Sequence, residues 1–321
     1  EEKYDITWET PLEYFNLRKN NNCSFKMLLE NSKEKYAHLQ TKYPEFSTAL
    51  TACDTHIPIF DDMIPQGITL MEEYTLITAY DNSEKQNSKC YVINAKGEII
   101  NIVTLETSSH VGGIAYDEEN DLIWITGKRG TVVAYEANDF LEKKDVLPKY
   151  TFDNLKEGLN YYKDSKRHHV AYLTIDDGYL YIGNFLISHN CTIKKYKIEK
   201  TDNQISTIYV GEFKVPPQIQ GLTFYTQNDT KYMLLSSSFG RNNPSYLHIY
   251  EYSQEMKSYT DAQLQKKVYK FPPMLEQTAI KDGQLIPLFE SNAKKYHQCE
   301  EKIEDICTLD INKLFIDIKK D

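Results

Sequence analysis

Arginine is nearly missing from this chain: of 37 basic residues only four, Arg18, Arg129, Arg167 and Arg241, are guanidinium-bearing. The 47 acidic residues leave a net charge of -10, spread along the chain rather than gathered in a tail. That balance argues against a sequence-independent nucleic-acid binder, which needs a surplus of cations facing phosphate. No apolar run reaches the roughly 20 residues that cross a bilayer as a helix, so no transmembrane segment is expected. The start, Glu1-Glu2-Lys3, has neither the basic flank nor the apolar stretch of a signal peptide. A secreted protein with its export signal removed is the expectation.

Other signatures are missing too. The six cysteines, Cys23, Cys53, Cys90, Cys191, Cys299 and Cys307, contain no CxxC pair, which argues against a structural zinc site. Disulfides Cys299–Cys307 and Cys23–Cys53 are expected in an oxidising compartment. Sequons begin at Asn22, Asn190 and Asn228. The run Ser236 to Arg241 has serines but not the G-x-S-x-G elbow of a nucleophile, and reads as a strand end and loop.

What is present is a repeat. Residues 11 to 50 carry Phe25, Leu28, Leu29, Tyr36 and Leu39 at helical spacing, with Pro44 ending the helix or falling just after it. From about residue 57 the texture turns to short Val, Ile, Thr and Tyr runs between Asn, Asp, Gly and Lys turns. Five segments, IPQGITL, HVGGIAY, HVAYLTI, IQGLTFY and LEQTAIK, each open a unit and are each followed by a turn, a second strand and a third. Four-stranded units of this kind bury both faces only when stacked around an axis. The fold class is all-β: a five-bladed β-propeller over 57–321, with a helical extension over 1–56 packed on it.

The junctions FKVPPQIQGL and YKFPPMLEQT repeat each other, and IPIFDDMIPQGI resembles both. Ile57 to Phe60 is therefore expected to be the outer strand of the last blade, paired near Asp305 to Asp310, closing the ring so that no edge is left between first and last blades. A monomer is expected.

Propeller sites lie at the axial mouth, where junctions and second-to-third-strand loops meet. The polar residues there are Gln66, Asp81, His110, Arg129, His169, Asn184, Gln220, Arg241, Glu276 and Glu290. Guanidinium groups in these loops suit an anionic ligand. Asp81, Asn184, Glu276 and Glu290 are hard oxygen donors that would suit calcium if they converged. Glu276, Glu290 and His110 are the candidate acid or base groups. A binding site for a polar or anionic small molecule, a glycan or a partner protein is the first reading, and a metal-dependent or carboxylate-based hydrolase at the same place is the second.

In its glycine-bearing openers, Asp-Gly turns and strand-rich units the chain resembles the SMP-30/YncE-like propellers, across roughly residues 57 to 315. The resemblance implies the propeller fold. Lactonases of the SMP-30 type begin with a Glu-Gly-Pro whose glutamate binds the metal; this chain has Pro65-Gln66-Gly67, so that metal site does not carry over.

Overall fold

A computed structural model describes residues 34–56, 62–83, 85–155, 170–202, 204–261 and 266–315. Five sheets make the five blades, each of four antiparallel strands, with Asp145–Val146 added in parallel to the outer strand of the first. Blade 1 runs Met63–Met71, Tyr74–Asp81, Lys89–Ile93 and Ile99–Leu105; blade 2 runs Ile114–Asp117, Leu122–Thr126, Val132–Glu136 and Tyr150–Phe152. Blade 3 comprises Tyr172–Asp176, Tyr179–Gly183, Cys191–Thr201 and Gln204–Val215, and blade 4 comprises Ile219–Gln227, Thr230–Ser237, Ser245–Glu251 and Lys266–Phe271. Blade 5 takes Leu275–Lys281, Gln284–Phe289 and Asp305–Asp310 from the end of the chain and Leu50–His56 from near its start. Among the described residues no helix is long and apolar enough to cross a membrane.

Local sequence explains the blades. Asp177-Gly178 and Asp282-Gly283 each have positive φ at both positions, the type I′ geometry that matches the twist of a two-residue hairpin. Asn228-Asp229 makes the same turn in blade 4 without glycine, because Asn and Asp tolerate the left-handed region. The repeated junction also has a common geometry: Val111, Gln218 and Met274, each just before an innermost strand, all adopt positive φ. Blades 1, 4 and 5 then break register at Pro65/Gly67, Ile219/Gly221 and Leu275/Thr278. These bulges leave Gln66, Gln220 and Glu276 outside the ladder, where a bulge re-aims a side chain.

Ring closure differs from the expected detail. The closing strand is Leu50–His56, antiparallel to Asp305–Asp310 with Leu50 opposite Leu309 and His56 opposite Asp305; Ile57 to Phe60 lie outside the described residues. Similarity between IPIF and the internal junctions points to the wrong stretch because the true closing strand, LTACDTH, has no internal copy. Pro44 begins a helix, Pro44–Ala49, instead of ending or following one, since proline is pre-organised for a first helical turn. Its Phe46 is fully buried and packs edge-on against Phe271 and Phe289, with ring centroids 5.4 and 6.0 Å away.

The expected Cys299–Cys307 pairing is overturned. Cys307 stands opposite Cys53 across the closing strand pair, and Cys299 Sγ donates instead to the Arg241 carbonyl at 3.1 Å. Cys23 lies outside the described residues.

Candidate functional site

The axis is filled by one amide. Gln277, on the innermost strand of blade 5, accepts from the Ile68 and Ile114 N–H groups at 3.2 and 3.1 Å and donates to the Ile114 and Leu173 carbonyls at 2.9 and 3.2 Å. Its side chain thus ties blade 5 to blades 1, 2 and 3. Glycines make room for it: a Cβ on Gly221 would lie 2.8 Å from the Gln277 Cα, and one on Gly67 would lie 3.1 Å from its Oε1. Nothing in the sequence pattern singles out Gln277, whose partners are 104 to 209 residues away.

On the blade 5 and blade 1 side of the mouth face, Glu276 and Glu290 come together and share a hydrogen bond. Glu276 is buried and Glu290 half-buried. Gln66 Nε2 donates to Glu290 at 2.7 Å, and the Tyr296 hydroxyl also bonds Glu290. Burial, and then the neighbouring Glu290, hold the Glu276 carboxyl well above the usual carboxyl range. Burial raises Glu290 as well, opposed by the Lys295 charge and the bonds from Gln66 and Tyr296. Glu276 therefore keeps its proton to higher pH than an ordinary carboxyl, and the hydrogen-bonded pair titrates as a unit.

Around the pair stand Tyr80, His110, Lys295 and Tyr296. Lys295 donates to the Tyr80 hydroxyl at 3.2 Å, and the exposed His110 ring stacks on Tyr80 with centroids 4.1 Å apart. Arg241 extends over the Tyr296 ring, 5.7 Å from its centroid, and donates to Gln298 at 3.3 Å. The blade 3 and blade 4 side carries exposed apolar side chains. There Phe239 is 45% exposed and lies against Phe185 at 6.5 Å, and Ile187 is 50% exposed. Gln218 secures this loop by bonding the Leu186 and Ile187 carbonyls.

Not every expected residue joins the site. Asp81 is buried and spends its carboxylate on its own loop, accepting from Ser83 N and Oγ, Lys85 N and Gln86 N. Burial alone would raise its pKa, but those bonds outweigh it and lower it. Asn184 Oδ1 accepts from Thr192 N at 2.8 Å. The four proposed calcium donors are thus not one cluster, and no group of three or more His, Cys, Asp or Glu suited to a metal occurs among the described residues. Gln220 is half-buried at its bulge. His169 and the Arg129 side chain lie outside the described residues.

The carboxyl pair does not have the spacing of a glycosidase acid and nucleophile or base, which stand ~5–10 Å apart to admit substrate or water between them. A second pairing arises in the serine run: Ser237 Oγ and His248 Nε2 are 2.8 Å apart. Burial lowers the His248 pKa to about 4, and its Nδ1 meets no partner among the described residues, so the third member that orients a catalytic histidine is missing there.

No protein-family model matches the sequence, and no curated protein matches it. Among solved structures, the WD40 β-propeller domain of Doa1 is 12% identical with a TM-score of 0.38, the match covering 76% of this chain and 94% of that one. The RRP9 WD40 repeats are 9% identical with a TM-score of 0.44, covering 78% and 95%.

Proposed function

We propose that this propeller is a binding protein whose mouth face takes a partner protein. The observation that carries the reading is the exposed Phe239, set against Phe185 beside Ile187. Large apolar side chains left in water next to an arginine are the composition of an interface centre. Arg241, Lys295, Glu290, Gln66 and His110 then supply a polar half that selects the partner. The notion of an anionic ligand loses ground, since Arg241 is engaged with Tyr296 and Gln298. The hydrolase reading loses the separated carboxylates it needed.

A photo-crosslinking amino acid placed at Phe239, with the same probe at Asp177 on the far end of blade 3 as control, tests this in extract of the native source. A discrete protein adduct from position 239 alone is the expected result. Equal labelling from both positions, or competition by a sugar or small metabolite instead of protein, overturns it.

Secretion is part of the same proposal, supported by the exposed sequon asparagines Asn190 and Asn228; a mass loss on deglycosylating the native protein is expected. The SMP-30/YncE likeness is retained as a proposal of kinship without metal chemistry, because Gln66 bonds Glu290 where the lactonases open with a metal-binding glutamate.

A further inference from the structure

The last blade is assembled from both ends of the described chain, and at its seam two thiols face one another. Cys53 on Leu50–His56 is paired in register with Cys307 on Asp305–Asp310, and their Sγ atoms are 3.0 Å apart. Residues directly opposed on antiparallel strands have Cα atoms ~4.5–5.5 Å apart, inside the ~4.4–6.8 Å range that a disulfide spans. Joining the sulfurs needs about 1 Å of travel. The remaining described cysteines have no such neighbour: Cys299 donates to Arg241 O, Cys191 is directed at Leu186 O, and Cys90 is buried in the core of blades 1 and 2.

We infer that Cys53 and Cys307 form a cross-strand disulfide that locks the ring shut, a covalent latch between positions 254 apart in the chain. The half-buried Cys53 is the sulfur that an outside reagent reaches, and Cys307, fully buried, is the one that resolves. With a small-molecule disulfide such as oxidised glutathione as oxidant, the Cys53 thiolate attacks one of its sulfurs. This forms a mixed disulfide and expels one glutathione thiolate. The Cys307 sulfur then attacks Cys53 Sγ, the mixed disulfide breaks, and the second glutathione leaves with the proton that Cys307 gives up. Two protein thiols are oxidised and one glutathione disulfide is reduced to two thiols. Burial, followed by the neighbouring Cys53, holds the Cys307 thiol well above its usual range, which fits its place as the second, resolving thiol.

The intact protein, equilibrated in reduced or oxidised glutathione and then trapped with N-ethylmaleimide under denaturing conditions, provides the test. Oxidation is expected to remove two maleimide adducts, to give a Cys53–Cys307 linked peptide on digestion, and to raise the melting temperature by roughly 5–10 °C. C299S should behave as the parent. C53S should lose both the linked peptide and the redox dependence of melting while folding normally, since Cys53 is only half-buried. Full alkylation of both cysteines under oxidising conditions, or a linked peptide joining either one to Cys299 or Cys23, overturns the inference.

Discussion

At the scale of single residues, the raised pKa of Glu276 has a measurable signature. Because burial and the Glu290 charge raise the Glu276 pKa above its ordinary value of 4.5, the folded protein keeps a proton that the unfolded chain has released. The stability this gives is fully present below the unfolded value and is lost as pH rises through the folded one, with a slope of about 1.4 kcal/mol per pH unit at most. Asp81 and Glu301, whose pKa values are lowered, act in the opposite sense and lose their contribution on acidification. The diagnostic quantity is therefore a difference. E276Q keeps a hydrogen-bond donor toward Glu290 and cannot titrate, so its urea stability relative to the parent should improve steadily from pH 5 to pH 8. Parallel pH profiles for the two proteins would show that Glu276 is not held above the ordinary carboxyl range.

At the scale of elements, the short helix Pro44–Ala49 is anchored through Phe46 between the last strand of blade 4 and the second strand of blade 5. F46A removes a fully buried ring in contact with Phe271 and Phe289. It should cost about 3–5 kcal/mol, read as a lower urea midpoint with an unchanged slope. This helix also shows where sequence reading stops. The strands were legible because alternation and turn chemistry are local: Asp282-Gly283 fixes a hairpin within a few residues, and Leu275–Lys281 and Lys266–Phe271 lie where the repeat put them. The site was half legible. Gln66, Glu276 and Glu290 are brought together as mouth residues, because their positions follow from the blade pattern. Asp81 was misassigned because its own loop supplies all its donors, a local competition that residue type does not reveal. Gln277 and the Cys53–Cys307 facing were invisible, since each depends on contacts across more than a hundred residues.

At the scale of the whole molecule, stability depends on the ring having no open edge. Leu50–His56 covers Asp305–Asp310, and the segment before it adds side-chain ties: Lys35 and Tyr36 both bond Asp305 at 2.7 Å, and Lys42 and Tyr43 both bond Glu301. A chain beginning at residue 57 would lose these together and expose the backbone of a strand whose neighbours are already formed. Unpaired edges of that kind recruit strands from other molecules. The truncated protein should therefore melt lower and associate, visible by light scattering at micromolar concentration. A synthetic peptide of residues 34–56 should reverse both effects by filling the gap in trans, as a donated strand does elsewhere. If instead the shortened chain stays monomeric and melts like the parent, the other blades hold the ring closed by themselves, and the seam at Cys53 and Cys307 is a cover rather than a lock.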